Sequence, residues 1–352
     1  MNILIFITTA IVVACSVLSS VVKANTTELS DRTWVDRLEY KGIAVIEPGY
    51  HVWGSSPIVG ANGNVHLFVA RWPVSATFRG WYTRSEIARY ESDKPEGPFS
   101  FKEVVLQGTK SATWDKVAPH NPSIQKVGDN YVLLYIARSE ENSPASQQIG
   151  MLISKKLDGP WVKVNENGLI LSPPKDPSVW SHKTKLGVNN PALLQHPDGR
   201  FFMYYKAKLA GDVRRMSVAI ADNIEGPYVF HKTPLTSNTS EIEDGYAFVE
   251  NGKIRLLTTH NHKGTGLLWE SDDGIAFDTP ILGFEKMDHY ISKKELKEAT
   301  NYRGKKFERP QLLIQDGHPT YLYVASGANL LKGDGSGSYV LKINGVSSEV
   351  SK

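Results

Sequence analysis

Five times along the chain a polar run opens onto a short apolar stretch, turns at Gly or Asp, and returns as a longer stretch rich in aromatic and β-branched residues. The five segments are 56–71, 120–138, 190–206, 244–259 and 309–326. Four of them carry a proline near the start, Pro57, Pro122, Pro191 and Pro310, with Gly245 in the equivalent fourth place. Between them a second phrase recurs at 92–101, 154–163 and 221–230, each time around a Gly-Pro pair, and in degraded form at 271–277. Gly128-Asp129 and Asp198-Gly199 supply the turn chemistry that antiparallel hairpins need. Each unit therefore predicts four antiparallel strands. The first is short and apolar, as suits a strand buried at the centre. The second is aromatic and β-branched, as suits a sheet covered on both faces. Helical periodicity is confined to 292–300.

Self-similar units of four strands are the signature of a β-propeller, and five of them predict an all-β, five-bladed one. The fifth unit lacks an outer strand of its own, so a strand near 38–46 is expected to complete the blade that holds 310–343. The competing arrangement, unrelated hairpins in a sandwich, does not account for two phrases recurring in step. The domain reading is an export signal over 1–24, a linker over 25–37, the propeller over 38–345 and a tail over 346–352.

The first 24 residues are apolar up to Val22-Lys23-Ala24, a small-residue cleavage pattern. Val12-Val13-Ala14-Cys15 also has the form of a bacterial lipobox, so two routes stay open: soluble export to the periplasm or medium, or an outer-membrane lipoprotein acylated at Cys15. Cys15 is the single cysteine, so the mature fold holds no disulfide and rests on packing. Net charge is +3, from 40 basic and 37 acidic side chains, which argues against nucleic acid and against an anionic membrane surface as partners. A lipid anchor is the one membrane attachment the sequence leaves open, and it sets no oligomeric state.

A propeller gathers the starts of its innermost strands around one mouth, and these starts hold carboxylates, amides, His, Trp and Arg. Hydrolysis of a glycosidic bond needs an acid near the leaving oxygen and a second group that activates water or attacks carbon. Asp244 and Glu308 stand at nearly equivalent places in adjacent blades and are expected to project into the same opening. Structural pairing with Lys306 or Arg309 is the competing role for both. Asp115 is a third acidic candidate, with an ordinary turn aspartate as its alternative. His289, on the long loop before the fifth unit, is within reach of the mouth as a proton donor. Glu243 alternates with Asp244 along the strand, an alternation that would turn it away, so it ranks below Asp244 as an acid. Contacts to sugar hydroxyls and ring faces are expected from His51, Trp53, His120, Asn121, Asn190, Glu243 and Arg309. His120 has two further readings, a structural histidine and a ligand near a structural divalent cation on the axis. His260 and His262 share a strand face without a carboxylate or cysteine nearby in sequence, so no metal site is assigned. The chemistry requires no cofactor.

The phrases at 120–124, 189–200, 243–245 and 308–322 resemble those of five-bladed propeller glycoside hydrolases, over roughly residues 40–345. The chain looks closest to family 117, the 3,6-anhydro-L-galactosidases, and is more distantly similar to family 43. Family 43 carries its catalytic carboxylates at the first three blade starts, where this chain has Ser56, Asn121 and Asn190. Family 117 has an Asp and a Glu late in the chain, with a His as acid. The resemblance implies those carboxylate places for Asp244 and Glu308, the donor's place for His289, and for Asp115 that of the base found early in the family. It also implies an exo-acting, inverting hydrolase that removes a terminal sugar, of 3,6-anhydro-galactose type or another, from oligosaccharides of algal or plant wall polysaccharide. Two other functions stay open: a sugar-binding propeller without catalysis, motivated by Ser56, Asn121 and Asn190, and a phosphorylase or lyase using Lys305, Lys306 and Arg309.

Overall fold

A computed structural model describes residues 33–140, 145–301 and 304–345. The expected signal with Cys15 and the tail over 346–352 lie outside the described residues. No helix among the described residues is long and apolar enough to cross a membrane.

Among the described residues five antiparallel sheets form a five-bladed propeller, one for each predicted unit, and a separate two-stranded pair joins Thr300–Asn301 to Ala328–Asn329. Blade one runs through Tyr50–Val59, Val65–Pro73, Glu86–Ser92 and Ser100–Leu106. Blade two has Val117–Val127, Asn130–Arg138 and Gln148–Ser154, with Val162–Lys163 and Leu169–Leu171 both paired to its third strand. Blade three comprises Asn189–Gln195, Phe201–Ala207, Arg215–Ala221 and Val229–Phe230; blade four comprises Ile242–Glu250, Lys253–His260, Thr265–Ser271 and Ile281–Phe284. Blade five is closed across the chain's ends. Glu308–Gln315, His318–Ser326 and Gly337–Ile343 take Leu38–Val45 as outermost strand, with Leu38 opposite Ile343 and Val45 opposite Ser338. The recurring Gly-Pro pairs are cis at 97–98, 159–160 and 226–227. The expected helix is a short one, Lys293–Glu298, started by a capping box between Ser292 and Glu295.

The core is divided among the interfaces between neighbouring blades. Leu133 and Tyr135 pack towards blade one with Phe68 and Ile87, while Val132 and Leu134 face blade three with Leu193 and Met203. Phe202 and Tyr204 point the other way, to Leu256 and Trp269 of blade four. Leu312 and Leu313 are divided likewise between blades four and one. Period-2 alternation thus buries both faces of the second strands, which is why they read as continuous apolar runs.

Residues 33–37, the described part of the expected linker, pack on the propeller. Trp34 is buried with its ring 5.6 Å from Phe248, and Arg37 pairs with Glu250 at 3.1 Å. An indole has too much apolar surface to leave in water beside an uncovered blade edge, so these residues dock on blade four.

One irregularity recurs in every blade. Each innermost strand is bulged against its neighbour: Trp53 pairs with Ala70 but Ser56 with Phe68, and the same three-against-two slip occurs at 120–123, 189–192, 243–246 and 308–311. The residue entering each bulge has left-handed backbone: Gly54 (φ 66°), Asn121 (49°), Asn190 (53°), Asp244 (63°) and Arg309 (55°). A bulge turns two successive side chains to one side and sharpens the local twist. In blade one it falls before Ser56-Pro57, so the first blade's place at the mouth belongs to Trp53-Gly54. This corrects the alignment on Pro57. Ser56 lies deeper, its hydroxyl donating to Gln311 Oε1 at 3.0 Å.

Candidate active site

The bulges stack two rings of residues around the axis. The outer ring is Trp53, His120, Asn189, Glu243 and Glu308; beneath it lie Gly54, Asn121, Asn190, Asp244 and Arg309. Glu308 is therefore the counterpart of Glu243, one residue out of step with Asp244. The expected convergence nonetheless occurs. Asp244 and Glu308 line the same cavity of about 240 Å³, together with Trp53, His120, Asn121, Asn190 and Glu243.

The inner ring is a chain of hydrogen bonds. Asn121 Nδ2 donates to Asn190 Oδ1 at 2.8 Å, and Asn190 Nδ2 donates to Asp244 Oδ1 at 2.5 Å. A carboxylate only accepts, so Asp244 sets the orientation of both amides. Arg309 Nη1 stands 3.8 Å from the same Asp244 oxygen, and Arg309 Nη2 crosses the axis to the carbonyls of Asn121 (3.0 Å) and Pro122 (3.3 Å). That crossing depends on Gly54. A Cβ there would stand 3.0 Å from Arg309 Cγ and 3.5 Å from Asn121 Oδ1. Arg309 is completely buried and does not line the cavity, which corrects its expected contact with sugar. Burial weakens its hold on the proton, partly offset by Asp244 and Glu243.

Glu243 does not turn away as strand alternation predicted, because the bulge breaks the alternation between it and Asp244. Its carboxylate accepts from Lys206 Nζ at 2.6 Å and from Asn261 Nδ2. Lys206 and Arg214 line the same wall. The opposite wall is aromatic: Trp53, Trp72, Phe78 and Trp81, with His120 against Trp72 and Trp81 at ring distances of 5.5 and 5.4 Å. His120 Nδ1 is 3.0 Å from the Ser85 hydroxyl.

Besides Arg309, three expected residues are not at the cavity. Asp115 is buried beside blade two, where it accepts from Thr113 Oγ1 at 2.9 Å and pairs with Lys163 at 2.5 Å. A carboxylate placed so early before the bulge is spent on the loop that carries it. His289 is exposed on the short helix Met287–Tyr290, edge-on to Tyr290. His51 is buried behind the aromatic wall, 5.4 Å from Trp72, and its Nδ1 accepts from the Ser336 backbone N–H at 3.1 Å. Burial lowers its pKa to about 4. The basic group is also dispersed: Lys305 and Lys306 donate to the carbonyls of Leu296 and Asn261, and neither lines the cavity. Among the described residues no cluster of His, Cys, Asp or Glu has the form of a metal site.

Sequence reasoning missed Trp72, Phe78, Trp81, Lys206 and Arg214. Phe78 and Trp81 come from the stretch 74–82, two 3₁₀ turns inserted between the second and third strands of blade one. Their signal was an aromatic-rich insertion outside the repeat. Lys206 is next to last in an otherwise apolar strand, an anomaly that marks a paired charge.

No family model matches the chain. It is 24% identical over 247 residues to extracellular endo-α-(1→5)-L-arabinanase 2 of Bacillus subtilis, covering 65% of this chain and 48% of that protein. It is 30% identical over 131 residues to an extracellular endo-α-(1→5)-L-arabinanase of Thermotoga petrophila, covering 36% of this chain and 26% of that protein. The chain thus spans about half or less of the curated relatives it matches. Among solved structures, a family 117 glycoside hydrolase of the marine bacterium Zobellia galactanivorans superposes with a TM-score of 0.63 at 15% identity, over 87% of this chain and 89% of that one. The GH43_1 enzyme of Xanthomonas citri complexed with xylotriose superposes with a TM-score of 0.56 at 14% identity, over 91% and 93%. The fold is the five-bladed propeller that these glycoside hydrolases share.

Proposed function

We propose that the protein is an exported, exo-acting glycoside hydrolase that removes one terminal sugar from oligosaccharides of algal or plant wall polysaccharide, with inversion. The observation that carries this reading is the pairing of Asp244 and Glu308, from neighbouring blades, in one cavity opposite an aromatic wall. A volume of about 240 Å³ is smaller than the roughly 300–1,000 Å³ typical of drug-sized ligands and suits a single ring. Trp53 and Trp81 offer apolar faces to that ring, and the opposite wall offers hydroxyl partners. Asp244, oriented by Asn190 and Arg309, takes the proton of the attacking water as its oxygen bonds to the anomeric carbon. Glu308 gives its proton to the glycosidic oxygen as that bond breaks. The catalytic places of Asp115 and His289 pass to these two. Likeness to extracellular arabinanases supports export, in line with the apolar N-terminus.

Reducing-sugar release from a panel of defined wall oligosaccharides, with and without phosphate, tests the reading. One monosaccharide per turnover without phosphate is expected. Release that needs phosphate would make it a phosphorylase, and binding without release would make it a lectin-like propeller.

A further inference from the structure

A second hollow opens on the same end of the propeller. It lies between two connections that meet there: residues 83–86, ahead of blade one's third strand, and residues 107–118, which lead into blade two. Its volume is about 600 Å³. Ser85 lines this groove and His120 lines the cavity, with 3.0 Å between Ser85 Oγ and His120 Nδ1. One hydrogen-bonded pair therefore separates the two hollows.

The groove is basic. Arg84, Lys110 and Lys116 line it against a single carboxylate, Glu86. That carboxylate is already engaged, by Arg71 Nε at 2.9 Å and Gln107 Nε2 at 2.7 Å. Arg84 and Lys110 are exposed and, among the described residues, pair with no carboxylate. The loop presenting the lysines is firmly built. Lys110 N–H donates to Lys116 O at 3.0 Å, Thr109 N–H donates to Asp115 O at 3.2 Å, and Lys110 holds a left-handed φ of 60°. The Asp115 carboxylate, fixed by Thr113 and Lys163, anchors that loop from below. The buried aspartate thus has a structural task that catalysis does not supply.

Cations left without partners in a concave surface raise the local concentration of anions, and a guanidinium matches the geometry of a carboxylate or sulfate. We propose that this groove is a subsite for an anionic sugar unit, bearing a carboxylate or a sulfate ester, in the chain whose terminal ring enters the cavity. The proposal rests on the hydrolase reading for the word substrate, though binding alone suffices to test it.

The experiment titrates three matched sets of oligosaccharides, neutral, uronate-bearing and sulfate-bearing, into the full chain carrying Glu308→Gln, which suppresses turnover. Calorimetry is done at low and at physiological salt. One anionic set is expected to bind more tightly than the neutral set, with the preference shrinking at higher salt. Adding Arg84→Gln and Lys110→Gln should reduce that preference about tenfold, the scale of two partly exposed ion pairs. Arg84→Lys with Lys110→Arg should retain most of it, and an unchanged melting temperature in each variant confirms folding. Equal affinity for all three sets overturns the proposal. So does an anionic preference that survives the double Gln variant, which would place the anion elsewhere. Anionic preference without release by the unmodified enzyme would leave the groove standing and end the hydrolase reading. Release from neutral chains with no anionic preference would do the reverse.

Discussion

The two sides of the mouth are built by different means. On the charged side Glu243, Asp244 and Glu308 stand at bulge positions of innermost strands, and Lys206 is next to last in a second strand. On the aromatic side Trp53 and His120 occupy bulges, but Trp72 is next to last in a second strand, and Phe78 and Trp81 belong to an insertion found in blade one. The carboxylates of the charged side were therefore legible from the repeat, while its cations and most of the aromatic side were not. The contrast also separates burial from role. Asp115 is as buried as Asp244 and Glu308, yet it meets a lysine and its own loop where the other two meet a cavity.

The largest effect expected is on that contrast among carboxylates. Asp244→Asn and Glu308→Gln should each lower turnover by about 10²–10⁴-fold, the range of a positioned acid or base. Their stabilities should differ. Glu308→Gln keeps its melting temperature, whereas Asp244→Asn lowers it, because completely buried Arg309 then faces a neutral amide. Asp115→Asn should show the opposite balance: a loss of roughly 1.5–3 kcal/mol in denaturant unfolding, the scale of a charged hydrogen bond, with turnover reduced well short of 100-fold. Near-wild-type turnover in both Asp244 and Glu308 variants would mean that these are structural carboxylates.

A smaller change sharpens the aromatic side. Trp81→Ala should raise KM about tenfold, or ~1.4 kcal/mol of binding, with kcat little changed, since an apolar platform holds ground state and transition state alike. Arg138 lies 4.8 Å over the Trp81 ring and is itself buried, its pKa lowered to about 9, so removal of the indole also uncovers a desolvated cation. A fall in kcat with KM unchanged would give Trp81 a part in the chemistry instead.

The smallest effect is a pH dependence of stability on the same side. Burial lowers the His51 pKa from 6.5 to about 4. Between those values the unfolded chain takes up a proton that the folded chain refuses. The contribution of His51 is therefore complete above about pH 6.5 and is lost as pH falls towards about 4. His66 and His260 are also lowered, so His51→Asn should flatten the acid limb of a melting-temperature profile in part. An acid limb identical to wild type would show that the ring's burial does not govern its proton.

The number of blades, the strand that closes the ring and the strand end that carries the candidate site were readable in the repeat itself. Those properties follow from local rules: turn residues at fixed offsets, and alternation that leaves both faces of each second strand apolar. Val132 and Leu133 show this directly, facing different neighbours from adjacent positions. Which side chains meet was set by the closing of the blades. A bulge is not announced by proline, and in blade one it falls ahead of Pro57, which exchanges Ser56 for Trp53 and Gly54 at the mouth. It also brings Glu243 beside Asp244 against the alternation of the strand. Lys206 reaches Glu243 across 37 positions, and Arg309 reaches Asn121 across 188. Such pairs depend on how five sheets close around one axis, a distance that no local pattern encodes.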